Sequence, residues 1–360
     1  MREEIEPGVV RGSYWEATPD GRIRCDLCPR HCTLSEGQRG FCFVREARGG
    51  AVVLTSYGRA IGVCVDPIEK KPLYHFFPGS SALSFGTAGC NLGCRFCQNW
   101  DMSKARDVHG LSQVASPAAL VASARQQGCR SIAYTYNDPI VFAEYAIDCA
   151  ELARAEGISN VAVSNGFILG QAREDLYGRM DAINVDLKSF EPEFYRKLCA
   201  AKLEPVLETL EWIAQKTDVW LEVTTLVIPG MNDSEAELQQ LAAWIRDHLG
   251  PEVPLHLSAF HPAYKMMDTP RTPSSTLHRA RRQALELGLR HVYTGNIDDP
   301  EGQSTSCAGC GRRLIERAGY EIRAWHLDAE GRCPDCLRSL AGRFEARPGT
   351  WGHRRRPLAL

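Results

Sequence analysis

Three cysteines, Cys90, Cys94 and Cys97, stand at C-x3-C-x2-C spacing inside Gly89–Trp100 (GCNLGCRFCQNW). A four-iron cluster takes four thiolates. Three would leave one iron without a protein ligand, which is the open position that separates catalytic metal sites from closed structural ones. Gly89 and Gly93 let the backbone wrap closely around a bulky group. The alternative is three ligands of a zinc site whose fourth lies elsewhere. Two further clusters flank this run. Cys307-Ala-Gly-Cys310 and Cys333-Pro-Asp-Cys336 are C-x2-C knuckles 22 residues apart. That spacing fits a closed tetrahedral zinc of structural purpose, with a rubredoxin-like iron as the alternative. Cys25, Cys28, Cys32 and Cys42, with His31 among them, suit either a structural zinc or an auxiliary iron–sulfur cluster, so their metal stays unidentified. The other four of the fifteen cysteines, Cys64, Cys129, Cys149 and Cys199, read as small buried hydrophobes.

Such residues need elements to position them. Seven β-rich runs (81–87, 131–136, 161–165, 183–187, 219–228, 255–260 and 291–295) alternate with six helix-like stretches (117–128, 139–157, 171–180, 192–216, 234–250 and 273–288). Several of the helical stretches carry Pro near the start and Gly at the end. The alternation predicts parallel βα units, as a TIM-type barrel or a doubly wound sheet, and both place sites at the carboxyl ends of strands. The chain divides into an N-terminal cysteine-rich extension over 1–80, a barrel over 81–298 and a C-terminal zinc-ribbon-like module over 299–360. RRLIERAGYEIRAWHL between the knuckles reads as a β-hairpin, and the terminal GHRRRP reads as a solvated tail.

Composition narrows the classes. The 360 residues are 44% hydrophobic and 24% charged, which suits a packed globule. The net charge of −2 supplies no general pull toward nucleic acid or anionic lipid. No signal peptide precedes the first strands and no run is long enough for a transmembrane helix, so a soluble cytoplasmic protein is expected.

VDPIEKKPLYHFFPGS (65–80), Cys97-Gln-Asn-Trp100, YTYNDP (134–139), SNG (164–166), NVDLK (184–188), TTLVIPGMND (224–233) and HPAYKM (261–266) together resemble the radical S-adenosylmethionine (SAM) superfamily. The resemblance covers about residues 20 to 340. Within that superfamily it is similar to the pyruvate formate-lyase activating enzyme homologues, and specifically to the radical SAM member of the AmmeMemoRadiSam system. It implies a partial (β/α)6 barrel in which Cys90, Cys94 and Cys97 hold a [4Fe-4S] cluster and SAM chelates the fourth iron. Reductive cleavage of SAM then gives a 5′-deoxyadenosyl radical that abstracts hydrogen from substrate. Phe96 would pack near the adenine. Asn137 and Asp138 fall where activating enzymes carry a Gly-Gly-Glu run whose carboxylate accepts the SAM amino group. Asp138 is one methylene shorter than that Glu, so either the backbone comes closer or Asn137 makes more of the contact. Ser164 and Asn165 end the third strand as cofactor-binding candidates. Asp186 and Lys188, on one face of the fourth strand, match an Asp-x-Lys that helps hold SAM and a nearby cation, with His261 resembling a later His of that site.

The resemblance also implies a low-potential electron donor such as flavodoxin or ferredoxin. The substrate it allows is a glycyl-radical protein, or a small molecule or another protein handled with Memo-like partners. A second reading, from another class, is a zinc-ribbon scaffold or nucleic-acid-binding module without radical chemistry. The near-neutral charge and the lack of a basic stripe with interleaved aromatics weigh against it.

Overall fold

The computed structural model describes residues 2–107 and 110–360. Its central sheet comprises β1 (Arg59–Pro67), β2 (Ser81–Gly86), β3 (Ser131–Tyr134), β4 (Ser159–Ser164), β5 (Ala182–Asp186), β6 (Trp220–Val227), β7 (Leu255–Ala259) and β8 (Val292–Gly295). From β2 to β8 the strands pair in parallel and in sequence order. The seven runs expected as strands are these seven. They could be read from sequence because helices cover one face and the barrel interior fills the other, so that β2 and β3 are buried at every position. β1, which lies in the segment read as the N-terminal extension, pairs antiparallel with β2. Among the described residues β8 pairs with β7 alone, so hydrogen bonding does not close the ring.

Helices α1 (Pro117–Gln126), α2 (Ala143–Ala155), α3 (Gly170–Tyr177), α4 (Glu204–Lys216), α5 (Glu235–Trp244) and α6 (Ser274–Glu286) connect the parallel strands. The hydroxyls of Ser116 and Ser234 cap α1 and α5 by accepting the N–H groups of Ala119 and Glu237. The single helix expected over 192–216 is broken. A widened turn at Tyr195–Cys199 ends at Ala200, which is left-handed with φ 50°, and α4 restarts at Glu204. The cause is tertiary: the N–H groups of Gly93 and Arg95 donate to the carbonyls of Cys199 and Leu198. Those carbonyls therefore face the central cysteine loop instead of continuing a helix.

The barrel floor is plugged by Ile68, Leu73 and Phe76 against Ala82, Ala133, Val161 and Ala182. Glu222 pins this plug: it accepts the N–H groups of Tyr74 (3.0 Å) and His75 (2.8 Å) and lies 2.6 Å from His256 Nε2. Two small antiparallel sheets carry the N-terminal cysteines. The expected C-terminal hairpin is present as Arg313–Ala318 paired with Glu321–Trp325. The tail expected to be solvated is instead an edge strand. Arg356 and Pro357 pair with Val65 and Cys64, and Leu358 N donates to Val63 O, satisfying backbone groups along the outer side of β1.

Candidate active site

The central cysteine loop leaves the carboxyl end of β2, and its neighbours tie it down atom by atom. Asn137 Oδ1 accepts Thr87 N at 3.1 Å while its Nδ2 donates to Gly89 O at 2.8 Å. Asn165 Nδ2 donates to Asn91 Oδ1 at 2.8 Å and lies 3.9 Å from Cys90 Sγ. Cys97 Sγ is 3.2 Å from Ser103 Oγ. Gly89 has φ 86°, and a Cβ there would stand 2.2 Å from the Cys42 carbonyl oxygen, so only glycine allows the N-terminal cysteine loop to pack so closely.

Asp138 is fully buried, and both its oxygens are taken by the protein. Oδ1 accepts Ile140 N and Ser164 Oγ, each at 3.0 Å, and Oδ2 accepts Asn165 N at 2.7 Å. Burial pushes its pKa up to about 7 against those three donors. The carboxylate therefore joins the ends of β3 and β4 and sets the direction of Asn165. Ser164 also bonds the Tyr177 hydroxyl at 2.7 Å.

One strand further on, Lys188 Nζ pairs with Asp186 Oδ2 at 2.9 Å. Burial opposes the Lys188 charge, but Asp186, helped by the thiols of Cys94 and Cys199, holds its pKa well above the ordinary lysine range. Lys188 Nζ lies 6.0 Å from the Phe96 ring centre. Phe96 is 3% exposed and packs on Phe194, ring centres 5.7 Å apart. Thr224, the register partner of Asp186 on β6, has a buried hydroxyl without a hydrogen-bond partner, and so does the Asn184 side-chain carbonyl. Unmet polar atoms beside an ion pair suit a polar ligand.

His261 opens a loop that returns to the cysteines: Lys265 N donates to Arg95 O at 3.0 Å, and Tyr264 stacks on Trp100 with ring centres 5.5 Å apart. His261 itself is half-buried. Hydrogen bonds thus join Asn137, Asp138, Ser164 and Asn165 to one another and to the cysteine loop around the ends of β2 to β4, and the Asp186–Lys188 pair at the end of β5 lies within electrostatic reach of Cys94.

Sequence reasoning missed Cys199. It is fully buried within hydrogen-bonding reach of Cys94 and raises the Cys94 thiol pKa, with burial adding to the effect. Its sequence neighbours carry no mark of this, because the widened turn that delivers it arises from tertiary contact.

At the other end of the chain, the sulfurs of Cys307, Cys310, Cys333 and Cys336 all lie within 4.8 Å of one another. The Cys307–Cys336 and Cys310–Cys333 pairs are at 3.4 and 3.6 Å. A tetrahedral zinc with bonds near 2.3 Å spaces its sulfurs about 3.8 Å apart, so this group fits one metal ion. Among the described residues no helix is long and apolar enough to cross a membrane.

Residues 85–242 match the Radical SAM superfamily. An uncharacterized protein of Methanocaldococcus jannaschii is 42% identical over 324 residues, which span 90% of this chain and 96% of that one. The benzylsuccinate synthase activating enzyme of Thauera aromatica is 23% identical over 71% of this chain and 74% of its own length. A GTP 3′,8-cyclase of Peptoclostridium acidaminophilum is 25% identical over 42% of this chain and 47% of its own.

Proposed function

The chain belongs to the radical SAM superfamily, and from that premise we propose that it is a radical enzyme whose site is built on Cys90, Cys94 and Cys97. Membership implies a [4Fe-4S] cluster and SAM, and when bound together these supply a 5′-deoxyadenosyl radical that takes a hydrogen atom from substrate. The observation that carries the reading is the approach of Cys94, from the loop after β2, to the Asp186–Lys188 pair at the end of β5, both at the carboxyl ends of one parallel sheet. Each of this chain's residues has a task there. Asn137 and Asn165 fix the cysteine loop, and Asp138 orders Asn165 through its backbone N–H. Asp186 offers a carboxylate and Lys188 an ammonium to a zwitterionic ligand, with Thr224 and Asn184 as further polar partners. Phe96 and His261 complete the set assigned to SAM, while Ser164, bonded to Asp138 and Tyr177, helps to position the end of β4.

The relatives that are activating enzymes support a protein substrate, and we take it to be a glycyl-radical protein with a flavodoxin or ferredoxin as electron donor; the AmmeMemoRadiSam resemblance of the sequence offers instead a small molecule or another protein handled with Memo-like partners. A cavity of about 610 Å³, lined among others by Lys70, Tyr74, His256, Ser258, Gly295 and Tyr320, runs from the plug along β7 to the end of β8 and gives room for a protein loop. The GTP cyclase relatives support a second reading, a small-molecule substrate in the same cavity. The C-terminal thiols are assigned a structural zinc, and the cytoplasm is the proposed compartment. A zinc-ribbon scaffold alone accounts for those four thiols and leaves the central loop unexplained.

Anaerobically reconstituted protein, given SAM and dithionite, is expected to release 5′-deoxyadenosine, and Cys94→Ala is expected to release none. Release from neither, with a full complement of iron and sulfide, would count against the reading.

A further inference from the structure

We propose that Tyr136 and Cys64 form a hydrogen-atom relay that ends a carbon radical left inside the barrel. The relay rests on the radical reading above and concerns a step after hydrogen abstraction, carried by residues outside the cysteine loop.

Cys64, expected as a small buried hydrophobe, is buried but has polar partners. Its Sγ lies 2.8 Å from the Tyr136 hydroxyl and 3.3 Å from Asp66 Oδ2. The Tyr136 hydroxyl donates to the same Asp66 oxygen at 2.8 Å. Asp66 is fully buried and accepts from two ammonium groups, Lys71 Nζ at 2.7 Å on Oδ2 and Lys70 Nζ at 3.0 Å on Oδ1. A thiol, a phenol, a carboxylate and two lysines thus make one network. None of them belongs to the set assigned to SAM.

The network stands on the inner wall of the barrel. Asp66 and Cys64 are register partners of Ala82 and Ser84, and Ala82 packs against the plug. Tyr136 joins that wall to the cysteine loop, because its carbonyl accepts Asn99 Nδ2 at 2.8 Å, two residues after Cys97. Its φ of 72° is a left-handed conformation that strains a bulky residue, and such strain concentrates at functional positions. Gly62 leaves the ring its path: a Cβ there would stand 3.4 Å from Tyr136 Cε2. Tyr136 is half-buried and Cys64 is 1% exposed, so the phenol is the reachable group and the thiol stands behind it.

Phenolic O–H and thiol S–H bonds are weaker than alkyl C–H bonds, whereas the O–H bond of water is stronger. Transfer therefore runs from Tyr136 to a carbon radical: the O–H bond breaks, a C–H bond forms and a phenoxyl radical remains. Cys64 restores the phenol by giving up the hydrogen of its S–H bond. The thiyl radical then takes one electron from the low-potential donor that the radical reading already requires. Its proton comes from Lys70 through Asp66, and Lys70 reaches the large cavity.

The test uses the full chain, reconstituted with iron and sulfide and given SAM and dithionite in D2O without added thiol. Water does not surrender a hydrogen atom to carbon, so deuterium in the released 5′-deoxyadenosine reports an exchangeable group of the protein. Most product of the parent is expected to carry one deuterium. Tyr136→Phe, which keeps the ring, is expected to lower that share severalfold with iron content unchanged. Cys64→Ala is expected to keep the deuterium and, when freeze-quenched, to hold a phenoxyl signal in electron paramagnetic resonance that the parent lacks. Deuterium-free product from the parent, or equal labelling by Tyr136→Phe, would overturn the relay and leave the radical reading standing. Should Tyr136→Phe fail to fold, Cys64→Ala decides, and the absence of its phenoxyl signal overturns the relay. A parent that releases no 5′-deoxyadenosine removes both.

Discussion

Arg45 Nη1 donates to Glu144 Oε1 across 3.0 Å, its Nη2 bonds the other carboxylate oxygen, and both side chains are sealed from solvent. The pair clamps the N-terminal cysteine sheet onto α2. Glu144 also accepts Ser13 N at 2.9 Å, so one carboxylate holds two parts of the extension. Removing one partner leaves a buried charge unmatched, which costs about 3–5 kcal/mol. Glu144→Gln is therefore expected to lower the unfolding free energy by that amount, read as a lower urea midpoint at an unchanged slope. Burial raises the Glu144 pKa, but Arg45 outweighs it and holds the carboxyl below its ordinary value. The stabilisation is thus present above the unfolded carboxylate range and is lost as pH falls through the folded pKa. A wild-type acid limb no steeper than that of Glu144→Gln would contradict this.

Asp138 makes the opposite prediction. Its pKa rises from 3.8 to about 7, so between those values the folded chain keeps a proton that the unfolded chain has shed. Stability should fall as pH rises through that window, and Asp138→Asn should remove that part of the slope. The amide also turns an N–H toward donors that need an acceptor, at about 1–3 kcal/mol. Asp138→Glu is expected to be no better, because an added methylene in a sealed site costs about 1–3 kcal/mol in overpacking. Full stability of Asp138→Glu would mean that the pocket holds slack.

Much of this was legible in the sequence, for a physical reason. The strands were readable because burial on both faces makes each a short apolar run between turn residues, and the C-terminal thiols were readable because two short C-x2-C gaps bring four sulfurs together. What escaped depends on contacts distant in sequence. The break at Ala200 follows from Gly93 and Arg95 claiming two carbonyls, while the residues around it keep ordinary helical character. Asp138 looked free to meet a ligand until the N–H of Asn165 occupied one oxygen and the Ser164 hydroxyl shared the other. The basic tail looked solvated because its side chains are exposed, whereas its backbone pairs with β1.

Cys199 offers a spectroscopic prediction. Its thiol lies within hydrogen-bonding reach of Cys94 and is sealed from water. A hydrogen bond to a charged acceptor contributes about 1.5 kcal/mol, which for a one-electron couple corresponds to roughly 60 mV. With Cys94 as the cluster ligand proposed above, donors to its sulfur favour the more negative, reduced cluster, so Cys199→Ala should shift the potential down by about that amount with iron content unchanged. Loss of iron from Cys199→Ala would instead make Cys199 a ligand.

The C-terminal module gives the last prediction. Its core is small, built on Cys307, Leu314, Ile315, Leu327, Cys333 and Leu340, so the metal proposed for the four thiols would supply much of its stability. The module is wired to the barrel plug: Arg317 Nη2 donates to Tyr74 O at 2.8 Å, and His75 Nδ1 lies 2.6 Å from Ala341 O. Tyr74 lines the large cavity and Glu222 holds its backbone N–H. Loosening the module should therefore loosen the plug. Cys310→Ser with Cys336→Ser, or removal of the metal by a chelator, is expected to raise amide exchange across 305–345 and 69–79 while β3 to β6 stay protected. Exchange confined to 305–345 would show that the plug is held by Glu222 alone.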